Sequence, residues 1–275
     1  MQITPKPADL VELTAEWTGE RFDSGRPRVP DDVLKTLSNA TIEQAWGVLR
    51  EEGYHRQYAG GWFETQPGTV LVGRAVTSMF LPHRPDLDAT VVKAGAREGK
   101  LTGDRQNTWI IDSLVDGDVM VTDIFGKVKD GTVIGDNLAT ALAERTKAGA
   151  VIDGGIRDLD GIAALSGVNV FCRGTHPTAI LDVSLAGINL PVRIGEATVL
   201  PGDVVLGTPS GVIFIPAHLA AKVAEASADV AIRDVFGKLR LTERVYGSAD
   251  IDVPVWAEPI EQDFQQWRLG YDAGR

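Results

Sequence analysis

Short apolar runs rich in β-branched residues alternate with helical patterns through the middle of the sequence. Seven runs have the composition of strands, at positions 69–77, 118–124, 150–153, 168–172, 188–194, 203–207 and 211–215. Helical patterns lie between several of them, at positions 86–98, 106–114, 136–147 and 158–165. Strands that alternate with helices are typical of an α/β core. We therefore predict an α/β half, followed after position 174 by a half made of strands and turns.

The segments on either side of this core have a different composition. Positions 1–30 are rich in proline and charge, and we predict an arm or a loop there. Thr41 and Gln44 have the spacing of a capping box at the start of a helix, and positions 54–68 form an aromatic, glycine-rich connection. Two further helices are predicted at positions 216–239 and 258–270. Their apolar faces can pack either on the chain's own core or on a partner subunit.

Composition excludes several classes of protein. The formal net charge is −11, which argues against a nucleic-acid partner, since such a partner favours a basic face. No apolar run approaches the about 18 residues that a membrane span needs, and MQITPKPADL lacks the features of a secretory signal. The single cysteine, Cys172, allows no intramolecular disulfide and is typical of buried packing. We therefore expect a cytoplasmic protein without a membrane partner.

Common catalytic motifs are missing from the sequence. It contains no P-loop, GxGxxG, HExxH, GxSxG or CxxC pattern. The four histidines, His55, His83, His176 and His218, are scattered, and no two share a helical spacing. A zinc site built from clustered histidines is therefore not expected. His83 and His176 lie in loops after predicted strands, and they are the strongest functional candidates among the four.

One helix start has the chemistry of an anion site. Gly135, Asp136, Asn137 and Leu138 open the helix predicted at 136–147, with Asp136 or Asn137 as its N-cap. The first turn of a helix leaves backbone N–H groups free, and the helix dipole favours an anion there. The sequence therefore predicts that this opening favours an anion.

The strand that follows this helix ends in a second candidate group. After positions 150–153, Gly154 and Gly155 are predicted to make an exit turn, and Arg157 and Asp158 begin the next helix. In an α/β unit the start of a helix and the end of the next strand lie at the same edge of the sheet. We therefore expect Arg157 and Asp158 to meet the helix opening described above.

The spacing by itself also allows a purely structural interpretation. Asp158 could be only the N-cap of its helix, and Arg157 could pair with Asp153 or Asp160. Asp136 could likewise be only a cap. Both interpretations remain open on the residues alone.

The spacing Asp-x20-Arg-Asp, carried by Asp136 and Arg157-Asp158, resembles the RraA-like superfamily. GDNL, DGGIRD, VFCRGTHP and LPVRIGEATVLPGDVVLGTPSGVIFIP extend the resemblance over about residues 68–216. It implies an α/β fold, an RraA-like swivelling β/β/α layered core with extra N- and C-terminal helical segments. We predict three parts: an N-terminal arm and helix at 1–67, a catalytic core at 68–216 and a C-terminal helical extension at 217–275.

This superfamily includes class II pyruvate aldolases and a non-catalytic regulator of ribonuclease E. The resemblance implies that Asp158 binds Mg²⁺ or Mn²⁺, hard ions that keep much of their hydration. It implies that Arg157 holds the ketone oxygen of a 2-oxo acid and that the N–H groups of positions 135–138 receive its carboxylate. Asp136 would orient a metal-bound water. The aldolases also use an asparagine in the region where this chain has an insertion at 96–109, and Asn107 is the candidate.

The implied function is a metal-dependent lyase. It would cleave a C–C bond of a 4-hydroxy-2-oxo acid such as 4-hydroxy-4-methyl-2-oxoglutarate or 4-carboxy-4-hydroxy-2-oxoadipate to give pyruvate, and would decarboxylate oxaloacetate through the same enolate. The alternatives are a related enzyme acting on another hydroxy or oxo acid, such as a sugar acid, and a protein-binding regulator of the ribonuclease E inhibitor type. The resemblance further implies a homotrimer or homohexamer, with an acidic residue donated by a neighbouring subunit.

Overall fold

The computed structural model describes residues 1–100 and 105–273. Its α-helices are α1 (Pro7–Leu13), α2 (Asp31–Leu37), α3 (Ile42–Glu51), α4 (Pro85–Arg97), α5 (Gln106–Asp112), α6 (Asp136–Thr146), α7 (Leu159–Ala163), α8 (Ala220–Thr242), α9 (Ser248–Ile251) and α10 (Glu258–Ala273). The predicted capping box at α3 is confirmed: Gln44 N donates to Thr41 Oγ1 at 3.2 Å and Thr41 N donates to Gln44 Oε1 at 3.0 Å.

The strands are β1 (Tyr58–Ala59), β2 (Phe63–Glu64), β3 (Leu71–Pro82), β4 (Asp118–Ile134), β5 (Gly149–Ile156), β6 (Asn169–Thr175), β7 (Val183–Ile188), β8 (Val192–Ile194), β9 (Ala197–Val199), β10 (Val204–Thr208) and β11 (Gly211–Ile215). Nine of them form one sheet in the order β1-β11-β10-β3-β4-β5-β6-β2, with β7 paired to β3. Strands β3, β4, β5 and β6 run parallel to one another, and every other pair in the sheet is antiparallel.

The two faces of the sheet are covered differently, which gives the predicted layering. Helices α4 to α7 cover one face, where Val91, Leu142 and Ile162 pack with Ile152 of β5. The separate hairpin β8–β9 covers the other face, where Val192 and other hairpin residues join the buried side chains of the sheet. A swivelled hairpin, a central sheet and a helical layer form a β/β/α sandwich. The predicted α/β fold, with extra helices at both ends of the chain, is confirmed.

Several predicted elements differ from the observed ones at their boundaries. The run at 118–124 begins the 17-residue strand β4, which continues past register shifts after Asp123 and Lys127. The run predicted at 188–194 is divided between the end of β7 and β8. Both errors have one cause: an apolar run marks burial, whereas the strand's end is set by the neighbour with which it pairs.

The N-terminal arm is folded onto the core, and it contains helix α1. The guanidinium Nη2 of Arg26 donates to both carboxylate oxygens of Asp118 at 2.7 and 2.9 Å, and both side chains are almost completely buried. Arg74 of β3 pairs with Asp31 at the start of α2. These ion pairs, together with the buried Ile3 and Leu10, attach the arm to the central sheet.

The aromatic connection at 54–68 contributes two strands that the sequence analysis did not predict. Strand β1 pairs with β11 at one edge of the sheet, and β2 pairs with β6 at the opposite edge. Each is two residues long, which is too short for a periodic sequence pattern. The connection therefore pairs with the sheet at both ends of its strand order.

The C-terminal helices form a second, smaller cluster. The first half of α8 buries Ala220 and Val223 in an apolar cluster with residues of α2, α3 and the edge strands. Its second half instead packs Phe236 against Ile260 and Phe264 of α10. Within residues 1–100 and 105–273, no helix has the length and apolar character required to span a bilayer.

Candidate functional site

The opening of helix α6 differs in one detail from the prediction. Its N-cap is Gly135, with an extended backbone at φ −114° and ψ −170°, and Asp136 is the first helical residue. The predicted cap at Asp136 or Asn137 is therefore wrong. Because Asp136 lies inside the helix, its Oδ1 accepts a hydrogen bond from the adjacent Asn137 N–H at 2.7 Å and caps no later turn.

Arg157 and Asp158 lie directly at this opening. A Cβ atom placed on Gly135 would overlap Asp158 Oδ2 and would lie 2.9 Å from Arg157 Nε. A Cβ atom on Gly161 of α7 would lie 3.3 Å from Asp136 Oδ2. The structure therefore brings together the helix opening and the Arg-Asp pair, which are separated by 20 intervening residues.

The side chain of Asp158 is not used for capping. Asp158 is the N-cap residue of α7 and has a left-handed backbone at φ 56°, but its carboxylate accepts no capping hydrogen bond. It lies 3.4 Å from Arg157 Nε, and each of the two side chains is 44% exposed. The alternative interpretation is therefore right that Asp158 occupies the N-cap position of α7, although its side chain makes no capping bond. It is wrong about Arg157, which pairs with Asp158 and with neither Asp153 nor Asp160.

The two glycines before this pair do not form an exit turn. Gly154 and Gly155 lie within β5, which continues to Ile156. A Cβ atom on Gly155 would lie 2.6 Å from the carbonyl oxygen of Val128. The glycines are required because the irregular second part of β4 passes directly over the strand. Strand β5 therefore extends to the edge at which Arg157 emerges.

A cavity of about 550 Å³ lies at this opening, within the size range of small-molecule sites. Its walls come from α5, the end of β4, the start of α6, the end of β5 and the loop before β7. The residues that line it are Arg105, Asn107, Thr108, Thr132, Val133, Gly135, Asp136, Asn137, Leu138, Arg157, Ala179 and Ile180. Arg105, Thr132 and Ile180 were not predicted, because nothing in their spacing connects these distant segments.

Asn107 is among these lining residues, as its predicted part in the site requires. It is 7% exposed, and its Nδ2 donates to the carbonyl of Val133 at 2.7 Å. The neighbouring Gln106 donates to Asp88 Oδ1 at 2.8 Å and accepts from Leu185 N at 2.6 Å. The start of α5 is therefore held firmly against the cavity. Positions 101–104 of the predicted insertion lie outside the described residues.

Within the described part of the chain, no three His, Cys, Asp or Glu side chains are arranged to hold a metal ion together. The two histidines singled out in the sequence each contact a hydroxyl group: His83 Nδ1 lies 3.4 Å from Ser184 Oγ, and His176 Nδ1 lies 3.0 Å from Thr178 Oγ1. The half-exposed carboxylate of Asp158, free of capping bonds, fits an ion that needs few protein ligands and keeps most of its water, as Mg²⁺ and Mn²⁺ do. The donor set therefore fits a hydrated hard cation and does not fit a zinc site.

A second group of charges lies on the hairpin side of the sheet. Asp123 and Asp153 are paired across β4 and β5, and both are more than 90% buried. Asp153 accepts from Arg173 Nε at 2.6 Å, and the guanidinium of Arg173 stacks 3.6 Å from the centre of the Trp62 ring. Burial raises the pKa of Asp123, and the charge of Asp153 raises it further.

Comparison with known proteins identifies relatives of this chain. The family model described as RraA-like, Aldolase/RraA, matches residues 34–214. A protein of Halalkalibacterium halodurans named "Putative 4-hydroxy-4-methyl-2-oxoglutarate aldolase" is 36% identical over 100 residues, which cover 36% of this chain and 47% of the relative. A protein of the same name from Ectopseudomonas mendocina is 32% identical over 105 residues, which cover 38% of this chain and 64% of the relative. The chain thus spans less than two thirds of the length of either relative.

One solved structure extends the comparison to nearly the whole core. The crystal structure of Streptomyces coelicolor RraAS2, described as an unusual member of the RNase ES inhibitor RraA protein family, has a TM-score of 0.65 and 25% identity. The alignment covers 78% of this chain and 98% of that one. Since the family model matches more than half of the chain and the predicted motifs lie within that match, the protein belongs to the RraA-like (Aldolase/RraA) family.

Proposed function

We propose that this protein is a divalent-metal-dependent lyase that cleaves the C3–C4 bond of a 4-hydroxy-2-oxo acid and releases pyruvate. The observation that carries the proposal is the position of Arg157 and Asp158 beside Gly135 at the opening of α6, where Arg157 and Gly135 line a cavity of about 550 Å³. Aldolase-named relatives at 32–36% identity support the same class of reaction.

The helix opening provides the place for the substrate carboxylate. The first backbone N–H groups of α6 have no partner within the helix, and the dipole of its 11 residues favours a negative charge at this end. In the proposed complex the N–H groups of positions 135–138 surround the carboxylate, and that of Asn137 is shared with Asp136 Oδ1. The 2-oxo group then lies toward Arg157, whose guanidinium donates to the ketone oxygen.

Bond cleavage leaves negative charge next to this arginine. When the C3–C4 bond breaks, the 4-hydroxyl loses its proton and becomes a carbonyl, and the bonding electrons form the enolate of pyruvate. Positive charge prepositioned at the enolate oxygen stabilises the transition state, and losing one such contact typically slows a reaction by about 100- to 1000-fold. The guanidinium of Arg157 supplies part of this charge. Protonation of the enolate at C3 then gives pyruvate.

Asp158 is the proposed ligand of the divalent ion, and Asp136 the residue that orients a water for proton transfer. A bound Mg²⁺ or Mn²⁺ would add positive charge near the enolate oxygen and lower the pKa of water in the site. Asp136 is fixed for its part because its Oδ1 is held by the Asn137 N–H and its Oδ2 lies near Gly161.

A metal-dependent screen of 4-hydroxy-2-oxo acids, with oxaloacetate as a further substrate, tests the proposal. Pyruvate is measured with Mg²⁺ or Mn²⁺ present, and again after addition of EDTA. We expect pyruvate release that requires the metal and that is lost in Asp158→Asn. Absence of turnover on every 4-hydroxy-2-oxo acid and on oxaloacetate would reject the lyase assignment.

A second candidate is a protein-binding regulator of the ribonuclease E inhibitor type. It is favoured by the likeness to RraAS2, whose description names that inhibitor family. The same screen separates the two functions, since a regulator binds its ribonuclease and turns over no 2-oxo acid. An enzyme acting on another hydroxy or oxo acid would instead turn over a sugar-acid substrate in a wider screen.

The assembly and the division of the chain complete the proposal. We propose a homotrimer or homohexamer, which light scattering on the purified protein measures directly. We also propose that residues 68–216 form the catalytic core, with 1–67 and 217–275 as additions to it. Limited proteolysis, followed by activity measurements on the trimmed protein, tests this division.

A further inference from the structure

A second cavity of about 230 Å³ lies away from the site described above and shares no lining residue with it. One wall is the segment 13–17 of the N-terminal arm, which lies outside the residues matched by the family model. The other walls are the segment after α3, the turn between β9 and β10, and the end of β11. The cavity is therefore built partly from a segment outside the family match.

The arm that forms this wall is held in place. Arg21 donates hydrogen bonds at 2.8 Å to Thr14 Oγ1, to the carbonyls of Thr14 and Trp17, and to the carbonyl of Gly25. The indole N–H of Trp17 donates to the carbonyl of Glu20 at 2.8 Å. The wall is thus fixed before any ligand binds, which reduces the entropy lost on binding.

Gln57 presents an unused acceptor to this cavity. It is 9% exposed, and its Nε2 donates to the carbonyls of Thr198 and Phe214, each at 3.1 Å. Its Oε1 accepts no hydrogen bond from the described part of the chain. The described residues contain a few fully buried side-chain atoms without a partner, and Gln57 Oε1 is not one of them. Because Oε1 has no partner and is not fully buried, it is exposed to open space. Gln57 lines the cavity, so the cavity is that space.

The remaining polar lining includes two acidic residues. Asp203 is almost completely buried and its Oδ2 accepts from the Leu200 N–H at 2.8 Å, whereas Glu16 is exposed. Tyr54 Oη lies 3.3 Å from His218 Nε2. No lysine or arginine is found among the described residues that line the cavity, and most of the surface between its polar groups is apolar. Such a lining attracts a hydrogen-bond donor or a cation and repels a carboxylate.

We propose that this cavity is a binding site for a small apolar amine, bound as its ammonium form with the charged end toward Gln57 Oε1. The volume lies below that of sites for drug-sized molecules, so the ligand is a fragment of about one ring. The apolar body packs between Trp17 and Leu200. The ligand belongs to a different chemical class from the anionic substrate of the first site, and the proposal does not depend on the lyase function.

Calorimetric titration of the full chain with benzylamine, benzoate and benzyl alcohol tests the proposal, because the three share one ring and differ in charge. We expect saturable binding of benzylamine, at least about tenfold tighter than that of benzoate. Gln57→Met, which keeps the volume and removes the acceptor, should weaken benzylamine binding about fivefold or more. Trp46→Ala, which changes an exposed tryptophan outside the cavity, should leave it unchanged.

A measurement on the unmodified protein tests the proposal even if Gln57→Met does not fold. In a two-dimensional NMR titration with benzylamine, the indole N–H resonance of Trp17, assigned through Trp17→Phe, should shift, while that of Trp46 stays in place. Equal affinity for benzoate and benzylamine would overturn the proposal. So would absence of saturation at millimolar benzylamine, or shifts confined to residues outside the cavity.

Discussion

Arg157 Nε lies 3.4 Å from Asp158 Oδ2, and the two consecutive side chains face the same helix opening. Two neighbours can do this because Asp158 has a left-handed backbone at φ 56°. That conformation costs about 1–2 kcal/mol for most residues and is tolerated best by Asp and Asn. Strain of this kind is often kept at functional positions, as in the proposed metal and substrate site.

Asp158→Asn should remove the activity and leave the fold intact. Asn tolerates the left-handed backbone, so the loop keeps its course, but its neutral amide is a poor ligand for a hard cation. We expect kcat/KM for the metal-dependent release of pyruvate to fall by about 100-fold or more, with little change in Tm. Asp160→Asn, at an exposed position of the adjacent helix, is the matched control. Full activity in Asp158→Asn would contradict the assigned metal ligand.

Gly135→Ala should block the same site through a single methyl group. The backbone of Gly135 is in a region open to alanine, so the harm comes from overlap of the new Cβ with Asp158 and Arg157. We expect loss of substrate binding, measured as a rise in KM or complete inactivity. Gly47→Ala in α3, where a Cβ atom meets open space, should instead keep activity and stabilise the protein by about 0.5–1 kcal/mol. Unchanged kinetics in Gly135→Ala would place the substrate elsewhere.

The buried pair of Arg26 and Asp118 should make the N-terminal arm part of the cooperative fold. Replacing Arg26 by Ala leaves an uncompensated buried carboxylate, and we expect the free energy of unfolding in urea to fall by about 3–5 kcal/mol. Replacing both residues in Arg26→Met/Asp118→Leu should recover most of that loss. A small effect of Arg26→Ala would mean that the arm detaches at little cost.

Asp203 should make stability fall as the pH rises from about 4 to about 7. Burial raises the pKa of its carboxyl group to about 7, from 3.8 in the unfolded chain. Between these values the folded protein holds a proton that the unfolded chain has released, so the contribution of this group to the free energy of unfolding decreases as the pH rises. The full effect is up to about 4 kcal/mol.

The variant Asp203→Asn isolates this effect. We subtract the free energy of unfolding of the unaltered protein from that of the variant. This difference should be larger, in favour of the variant, at pH 7.5 than at pH 5. Urea denaturation at the two pH values measures the difference. A difference that does not change with pH would show that Asp203 titrates normally.

Cys172 should be unreactive in the folded protein. The thiol is fully buried, and burial raises its pKa to about 11, so little thiolate forms near neutral pH. We expect no reaction with a disulfide reagent such as dithionitrobenzoate at pH 8 within minutes, and one equivalent of reaction in denaturant. Fast labelling of the native protein would contradict the packing around β6.

The local elements, and the side-chain chemistry at two positions of the chain, could be predicted without a structure. The apolar runs located the central strands, the 3.6-residue pattern located α6, and the Arg157-Asp158 pair was expected at the opening of that helix. These features are local, because periodicity and capping depend on residues a few positions apart.

The surroundings of these features follow from long-range packing. Packing places Gly154 and Gly155 inside β5, pairs the connection at 54–68 with the strands at both ends of the sheet order, and brings Arg105 and Ile180 to the cavity. Such relationships join segments many residues apart. They are set by which surfaces pack together and by which strands pair, and no short-range pattern in the chain records that choice.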